Sequence, residues 1–281
     1  METTGFTENQ LTVREAVSQV CSEFPNIYWQ ERDQTEQDPK EFHAALAKDG
    51  WLGIALPESL GGSGLGISED CARPSESLSL FCIDLDRSRP GLDTRKIKKM
   101  GGRAVDANEV FFDDYRIPAG SLVGREGQGF EIILHGMNAE RCLLAAVAKA
   151  SAYARDRVVF NRPIGQNQTI AHPLADAYMK LKAAKLATYH AARLYDASRD
   201  DPSIRQDQVG VAANSAKYVA AEAAFTACER AVLTHGGMGY AAEYDVERYL
   251  REIFVPRIAP VSRKMIMSYI SEKVLNLPRS Y

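Results

Sequence analysis

Residues 8–56 carry apolar side chains at helical spacing, at Leu11, Val13, Ala16, Val17 and Val20. This periodicity predicts helices. Asp38 followed by Pro39 is a helix-start signal, because aspartate caps a first turn and proline is tolerated at the first helical position. The turn at 57–66, PESLGGSGLG, ends this zone, since its glycines allow backbone angles that other residues resist.

Residues 79–124 have the short runs that are typical of strands. LSLFCIDL (79–86) and EVFFDDYRI (109–117) are rich in β-forming residues and are bounded by turn residues. Only two or three strands fit here, and a sheet of that size is marginally stable alone. We therefore expect residues 79–117 to form a small antiparallel sheet that packs against the helices.

Residues 128–273 contain long Ala-rich amphipathic stretches, at 133–159, 174–197 and 211–235. They are separated by Asn161–Pro163, Asp200–Pro202 and Gly236–Gly237. Three or four such helices with short links predict an antiparallel bundle. We expect no strand between residues 140 and 235.

These patterns predict a mainly α fold with a small β insert. The expected division is an N-terminal helical segment at 1–70, a β region at 71–124 and a C-terminal helical bundle at 125–281. A chain of 281 residues with 45% hydrophobic residues can bury a core of this size.

Charge and composition limit the kinds of partner and binding site that we expect. The net charge of −3 comes without a basic stripe, so we expect no nucleic-acid partner. We expect no membrane span, because no apolar run approaches about 18 residues. The five cysteines are scattered and the histidines lack metal-ligand spacing, which favours reduced thiols and no metal site. We see no targeting signal and expect an intracellular, by default cytoplasmic, protein; a mitochondrial or peroxisomal location stays open.

Four blocks resemble the acyl-CoA dehydrogenase family, in family order: GWLGIALPESLGGSGLG (50–66), NEVFFDDYRIPAGSLVGREGQGF (108–130), ERCLLAAVAKASAYARDRVVFNRPIGQNQ (140–168) and THGGMGYAAEYDVERYLRE (234–252). The resemblance implies N-terminal helices, a β domain and a C-terminal bundle. It also implies FAD as cofactor, an acyl-CoA thioester as substrate and desaturation between Cα and Cβ. The electron acceptor, an electron-transfer flavoprotein or oxygen, stays open.

One segment of the family is missing from this sequence. In the family, roughly a hundred residues, the size of a small domain, separate the blocks that match GGSGLG and LSLFCIDL. That segment carries a Thr-Glu-Pro motif and a Trp-Ile-Thr-type strand around the flavin ring, and neither motif occurs here. Residues 71–124 are therefore expected to be a truncated remnant of the β domain, with a deletion after Asp70.

The resemblance also indicates a catalytic base. Most family members carry it as a glutamate near the C-terminus, where this chain has Pro260. The isovaleryl and long-chain members carry it on the first bundle helix, directly before an arginine, and Glu140–Arg141 matches that position. Glu140 is then the catalytic base and Arg141 the substrate-binding residue. Alternatively, Asn138 caps a helix and Glu140 only favours its positive end.

Several bundle positions match family contacts to FAD, which is bound across a dimer interface. Arg157 matches an arginine at the diphosphate, where a guanidinium forms paired hydrogen bonds; alternatively it is a surface arginine. Gly236 and Gly237 match paired glycines that let the backbone approach the phosphates. They also suit a helix C-terminal turn, and both interpretations can hold.

Three further positions complete the predicted cofactor site. Phe160 and Gln168 match positions along the arm after the first bundle helix, although Phe160 also suits a core position. Ser262 stands where the family has a threonine near the adenine. Asn161 replaces the usual glycine after Phe160, and Leu233 replaces a glutamine before the glycine pair.

The sequence leaves three functions open. We expect an FAD-dependent acyl-CoA dehydrogenase; the alternatives are a catalytically impaired subunit that pairs with a full-length paralogue and a pseudoenzyme scaffold. In each case we expect it to form a homo-oligomer or a hetero-oligomer through the bundle.

Overall fold

The computed structural model describes residues 8–51, 80–81, 83, 85–123 and 141–279. The helices in these ranges are α1 (Glu8–Ser22), α2 (Asn26–Thr35), α3 (Lys40–Lys48), α4 (Arg141–Asp156), α5 (Gln168–Asp200), α6 (Gln206–His235), α7 (Val246–Glu252), α8 (Val255–Ile258) and α9 (Arg263–Lys273). The strands are β1 (Leu80–Phe81), β2 (Leu92–Lys96), β3 (Asn108–Phe112), β4 (Leu122–Val123), β5 (Val158–Val159) and β6 (Arg162–Pro163). The mainly α fold with a small β component is confirmed.

The chain divides into two compact units. One contains α1 to α3 with β2 and β3, and the other contains β1, β4 and everything from α4 onwards. The predicted boundaries near residues 70 and 124 stay predictions, because both fall outside the described ranges, as does the deletion after Asp70.

The N-terminal helices form where periodicity predicted them. α3 begins at Lys40 with Pro39 in the capping position, one residue later than Asp38–Pro39 suggested. Edge-to-face aromatic contacts connect α3 to α2 and to the turn between α1 and α2. The rings are those of Phe24, Tyr28, Trp29 and Phe42. Such pairs stabilise beyond the area that they bury.

The predicted single sheet at 79–117 is wrong in its pairing. β3 pairs with β2 in antiparallel register, with Leu92 opposite Phe112. β1 pairs with β4 instead, outside the predicted span. The sequence LDTRK of β2 has few β-forming residues, so composition did not reveal it. β3 ends at Phe112, and Asp114 then takes a left-handed conformation with φ of 49°.

The bundle packs on small side chains. Alanines of α4, α5 and α6 fill its core together with Cys228, namely Ala146, Ala150, Ala154, Ala177, Ala184, Ala223, Ala224, Ala227 and Ala231. Alanine has the best helix propensity, and its small volume lets helix axes approach closely. α5 and α6 are joined by a short link at 201–205, and residues near the end of α5 and the start of α6 line the same groove, so the two helices run antiparallel. Every helix of the described ranges is too short or too polar to span a bilayer.

A β-hairpin interrupts the bundle, so the expectation of no strand between residues 140 and 235 is wrong at one place. β5 and β6 pair between α4 and α5. The predicted helix at 133–159 ends at Asp156, and Phe160 and Asn161 both take positive φ, which a right-handed helix excludes.

Candidate functional site

The arm, residues 157–167, connects α4 to α5. The Arg157 N–H donates to the Tyr153 carbonyl at 2.8 Å, the last helical bond of α4. The Ile164 N–H donates back to the Arg157 carbonyl at 2.9 Å and closes the hairpin. Arg157 is thus fixed at the base of the arm, with an exposed side chain.

The tip of the arm is a two-residue turn. Phe160 and Asn161 have φ of 51° and 60°, the backbone pattern of a type I′ hairpin turn. Asparagine tolerates this conformation better than most residues, so Asn161 replaces the family's usual glycine without breaking the turn. Phe160 is 94% exposed, which excludes the core alternative.

The arm folds back against α4 before α5 begins. A Cβ on Gly165 would lie 2.9 Å from the Ala154 carbonyl oxygen, so this close approach requires glycine. Arg162 donates to the Asn167 amide oxygen at 2.8 Å. Gln168 is the first residue of α5, with an exposed side chain beside this contact.

The glycine turn, residues 236–240, follows α6. Gly236 has φ of 59° and ψ of −134°, a conformation that in practice only glycine adopts. A Cβ on Gly239 would lie 2.3 Å from the Val232 carbonyl oxygen. Gly237 has neither constraint, because its added Cβ would meet nothing within 4 Å. The open space beside Gly237 lets another group approach the backbone.

An aromatic stack joins the ends of α4 and α6. The Tyr153 and His235 rings lie 4.2 Å apart and nearly parallel, and Tyr244 meets both rings edge-on at 5.8 and 5.6 Å. His235 Nδ1 is 2.7 Å from the Ala231 carbonyl oxygen, which fixes the ring. The glycine turn is therefore held beside the base of the arm.

A buried charge network lies behind this stack. The Asp245 carboxylate is 2% exposed and accepts from Lys149 at 2.6 Å and from Arg248 at 3.0 Å. Breaking such a pair would leave an uncompensated buried charge. Burial, and then the positive charge of Lys149, lower the pKa of His235, while its bond to the backbone opposes the shift. This shift favours the neutral form of His235 at pH 7.

The structure brings most of the predicted cofactor residues to one end of the bundle, namely Arg157, Phe160, Gln168, Gly236 and Gly237. The Tyr153–His235 stack connects the two groups of residues. Tyr153 lies one turn before Arg157, and His235 directly precedes Gly236. An exposed guanidinium and an open backbone turn suit an anion such as a diphosphate. Their role in binding stays a prediction.

Ser262 lies elsewhere. Its Oγ accepts from the Met265 N–H at 3.4 Å and caps α9. The neighbouring Arg263 pairs with Glu222 of α6 at 3.4 Å. Glu222 and Gly236 are about 20 Å apart along α6, at about 1.5 Å per residue. One chain does not bring Ser262 to the glycine turn.

The proposed catalytic pair is only partly described. Glu140 lies outside the described residues, and Arg141 is the first residue of α4, without a described side chain. Their assignments stay predictions. Pro260 is exposed and lies in the link between α8 and α9.

Sequence reasoning missed the residues that support the site. Lys149 and Tyr153 stand one turn apart on α4, a spacing that places two side chains on one face. Nothing in the sequence paired them with Asp245 and His235, because these contacts join distant segments. A separate groove of about 710 Å³, lined by Arg205 and other residues, lies near the other end of α6, and none of the predicted site residues lines it.

Comparison with protein families matches two parts of the chain. Residues 127–274 match the acyl-CoA dehydrogenase C-terminal domain, and residues 7–79 match the acyl-CoA dehydrogenase N-terminal domain.

Individual relatives give the same result. Acyl-CoA dehydrogenase FadE12 of Mycobacterium tuberculosis is 36% identical over 226 residues, which cover 77% of this chain and 56% of that protein. The mitochondrial isobutyryl-CoA dehydrogenase of Dictyostelium discoideum is 32% identical over 205 residues, 69% of this chain and 48% of that protein. The chain thus spans about half the length of these relatives.

Solved structures agree on the fold. Butyryl-CoA dehydrogenase of Megasphaera elsdenii superposes with a TM-score of 0.58 at 28% identity, over 71% of this chain and 52% of that one. A chain from the structure of the electron transferring flavoprotein of Acidaminococcus fermentans reaches 0.78 at 21% identity, over 99% and 100% of the two chains.

Proposed function

Because the chain belongs to the acyl-CoA dehydrogenase family, we propose that it desaturates an acyl-CoA thioester between Cα and Cβ with FAD as oxidant. The observation that carries the proposal is the meeting of the arm and the glycine turn at one end of the bundle. Relatives that share about a third of its residues are named as dehydrogenases of acyl-CoA compounds.

The described residues fit the diphosphate half of FAD. The open space beside Gly237 and the exposed Arg157 offer backbone and guanidinium donors. Phe160 and Gln168 would lie along the same cofactor. Ser262, about 20 Å away along α6, would serve a second FAD, as expected if each cofactor is bound by two subunits. When bound, the flavin accepts the hydride that leaves Cβ.

Glu140 supplies the base in this proposal. Its carboxylate takes the proton from Cα, and the electron pair of that C–H bond forms the double bond as hydride leaves Cβ. Arg141 binds the substrate beside it. Pro260 can play no such part, since proline has neither a basic side chain nor a backbone N–H.

Flavin binding and turnover test the proposal directly. We expect purified chain titrated with FAD to quench flavin fluorescence, and acyl-CoA to bleach the bound flavin. Glu140→Gln should lower the bleaching rate by about 10²–10⁴-fold, the usual loss for a positioned base, while FAD still binds. Glu247→Gln is the control, because Glu247 is engaged by Arg251 at 2.7 Å in α7.

The absence of both ring-binding motifs from the sequence favours a second candidate function, that of a partner subunit. The chain would then lend the arm and the glycine turn to a full-length paralogue and catalyse nothing itself. Turnover that appears only on mixing with a full-length relative, and that survives Glu140→Gln in this chain, would support this alternative against the first.

A further inference from the structure

A lysine on α6 holds the segment between α8 and α9. Lys217 is partly buried, and its Nζ donates to the carbonyl oxygen of Pro256 and, at 3.4 Å, to that of Ala259. These carbonyls belong to the C-terminal end of α8, where helix carbonyls lack internal partners and carry partial negative charge. Burial lowers the pKa of Lys217.

Glu222 of α6 forms ion pairs with arginines on both sides of the same segment. Glu222 receives two hydrogen bonds from Arg257, at 2.9 and 3.0 Å, and pairs with Arg263 at 3.4 Å. These arginines flank the link, residues 259–262. The Arg257 guanidinium also lies 4.1 Å from the centre of the Phe225 ring. The link is therefore fixed to α6 by side chains on both sides of it.

Stability alone is a weak reason for this arrangement. A partly buried cation gives up hydration, and ion pairs with partial exposure usually contribute little net free energy. An apolar residue at position 217 would fill the same space. The charged side chains of Lys217 and Glu222 give the link one defined orientation, which an apolar residue would not. The link ends at Ser262.

We propose that Lys217 and Glu222 are positioning residues that orient the link so that Ser262 can hold the adenosine half of FAD. The inference rests on the proposed function, and it assigns these side chains a role that depends on the cofactor. Neither residue contacts the cofactor itself.

The test compares Lys217→Met with the wild type as full chains. We expect the melting temperature to be unchanged and amide hydrogen exchange to be faster in the link. The affinity for FAD and for ADP should fall about tenfold, the size of the loss seen when residues that orient the ligands of a metal ion are removed. Lys217→Arg, which keeps the charge and the donors, should restore affinity. Lys180→Met is the matched control, because Lys180 is exposed and pairs with Asp176 one turn earlier on α5.

Each outcome decides the matter. Faster exchange with unchanged FAD and ADP affinity would overturn the proposal while leaving the proposed function intact. A wild type that binds neither FAD nor ADP would overturn both, and the exchange data would then assign the contacts a purely structural role. Should Lys217→Met not fold, Glu222→Gln gives the same comparison from the other side of the link.

Discussion

The glycines of the turn after α6 are under different physical constraints. Gly239 is required by packing, since a Cβ there would lie 2.3 Å from a backbone oxygen. Gly237 has open space around its Cα. Gly239→Ala should therefore lower the free energy of unfolding by about 1–3 kcal/mol, as overpacking usually does. Gly237→Ala should leave it unchanged and weaken FAD binding, because the new methyl group blocks approach to the backbone.

Thermal unfolding and FAD titration of the two variants separate packing from function. Gly237→Ala that binds FAD like the wild type would show that the glycine pair is only a helix-ending turn.

The histidine before this turn makes stability depend on pH. Its folded-state pKa is lowered by burial, whereas an unfolded histidine titrates near 6.5. Below about pH 6.5 the unfolded chain takes up the proton and the folded chain resists it. The stabilisation is therefore present above about pH 6.5 and is lost as pH falls, by at most about 1.4 kcal/mol per pH unit.

Denaturant unfolding between pH 7.5 and 5 measures this slope. We expect His235→Gln to flatten it, and replacement of the exposed His190 by glutamine to leave it in place. An equal slope in wild type and His235→Gln would assign the acid sensitivity to other groups.

At the scale of elements, the tip of the β5–β6 hairpin depends on an asparagine at position 161. Asn161 has φ of 60°, a conformation that costs a β-branched residue about 1–2 kcal/mol. Asn161→Val should therefore destabilise the arm by that amount, whereas Asn161→Gly should preserve it. Limited proteolysis at the arm, with melting of the whole chain, checks both variants. Equal protection in Asn161→Val would contradict the turn geometry.

The same element shows what the sequence could predict. The long helices were predictable because their alanines and apolar positions repeat at helical spacing over many turns. The hairpin was missed because its paired strands have only two residues each. β2 was missed because Asp93, Arg95 and Lys96 outnumber its apolar residues. Short elements depend on their partners more than on their own composition.

At the scale of the whole molecule, the candidate site was predictable only as a set of separate positions. Resemblance supplied Arg157, Gly236 and Gly237 one by one, and periodicity placed them at helix ends. Their meeting depends on the Tyr153–His235 stack and on the buried bridge from Lys149 to Asp245. Such contacts join segments far apart in the chain, and no local pattern encodes them.

Two large aromatic side chains at this end of the bundle predict assembly. Phe160 at the tip of the arm is 94% exposed, and Tyr240 in the glycine turn is 90% exposed. Exposed apolar groups that cluster together are typical of interaction surfaces. We therefore expect copies of the chain, or the chain and a full-length paralogue, to associate through this end and to bury both rings.

Light scattering at micromolar concentration tests this. Phe160→Ser should shift the chain toward the monomer and weaken FAD binding in parallel, since a cofactor shared between subunits is lost with the interface. Its melting temperature at low concentration should not change, because the ring contributes little to the folded monomer. Leu186→Ser is the matched control: Leu186 is 73% exposed in the middle of α5, away from the arm. A wild-type monomer, or an assembly disrupted by Leu186→Ser and not by Phe160→Ser, would place the interface elsewhere and leave Phe160 without a role in assembly.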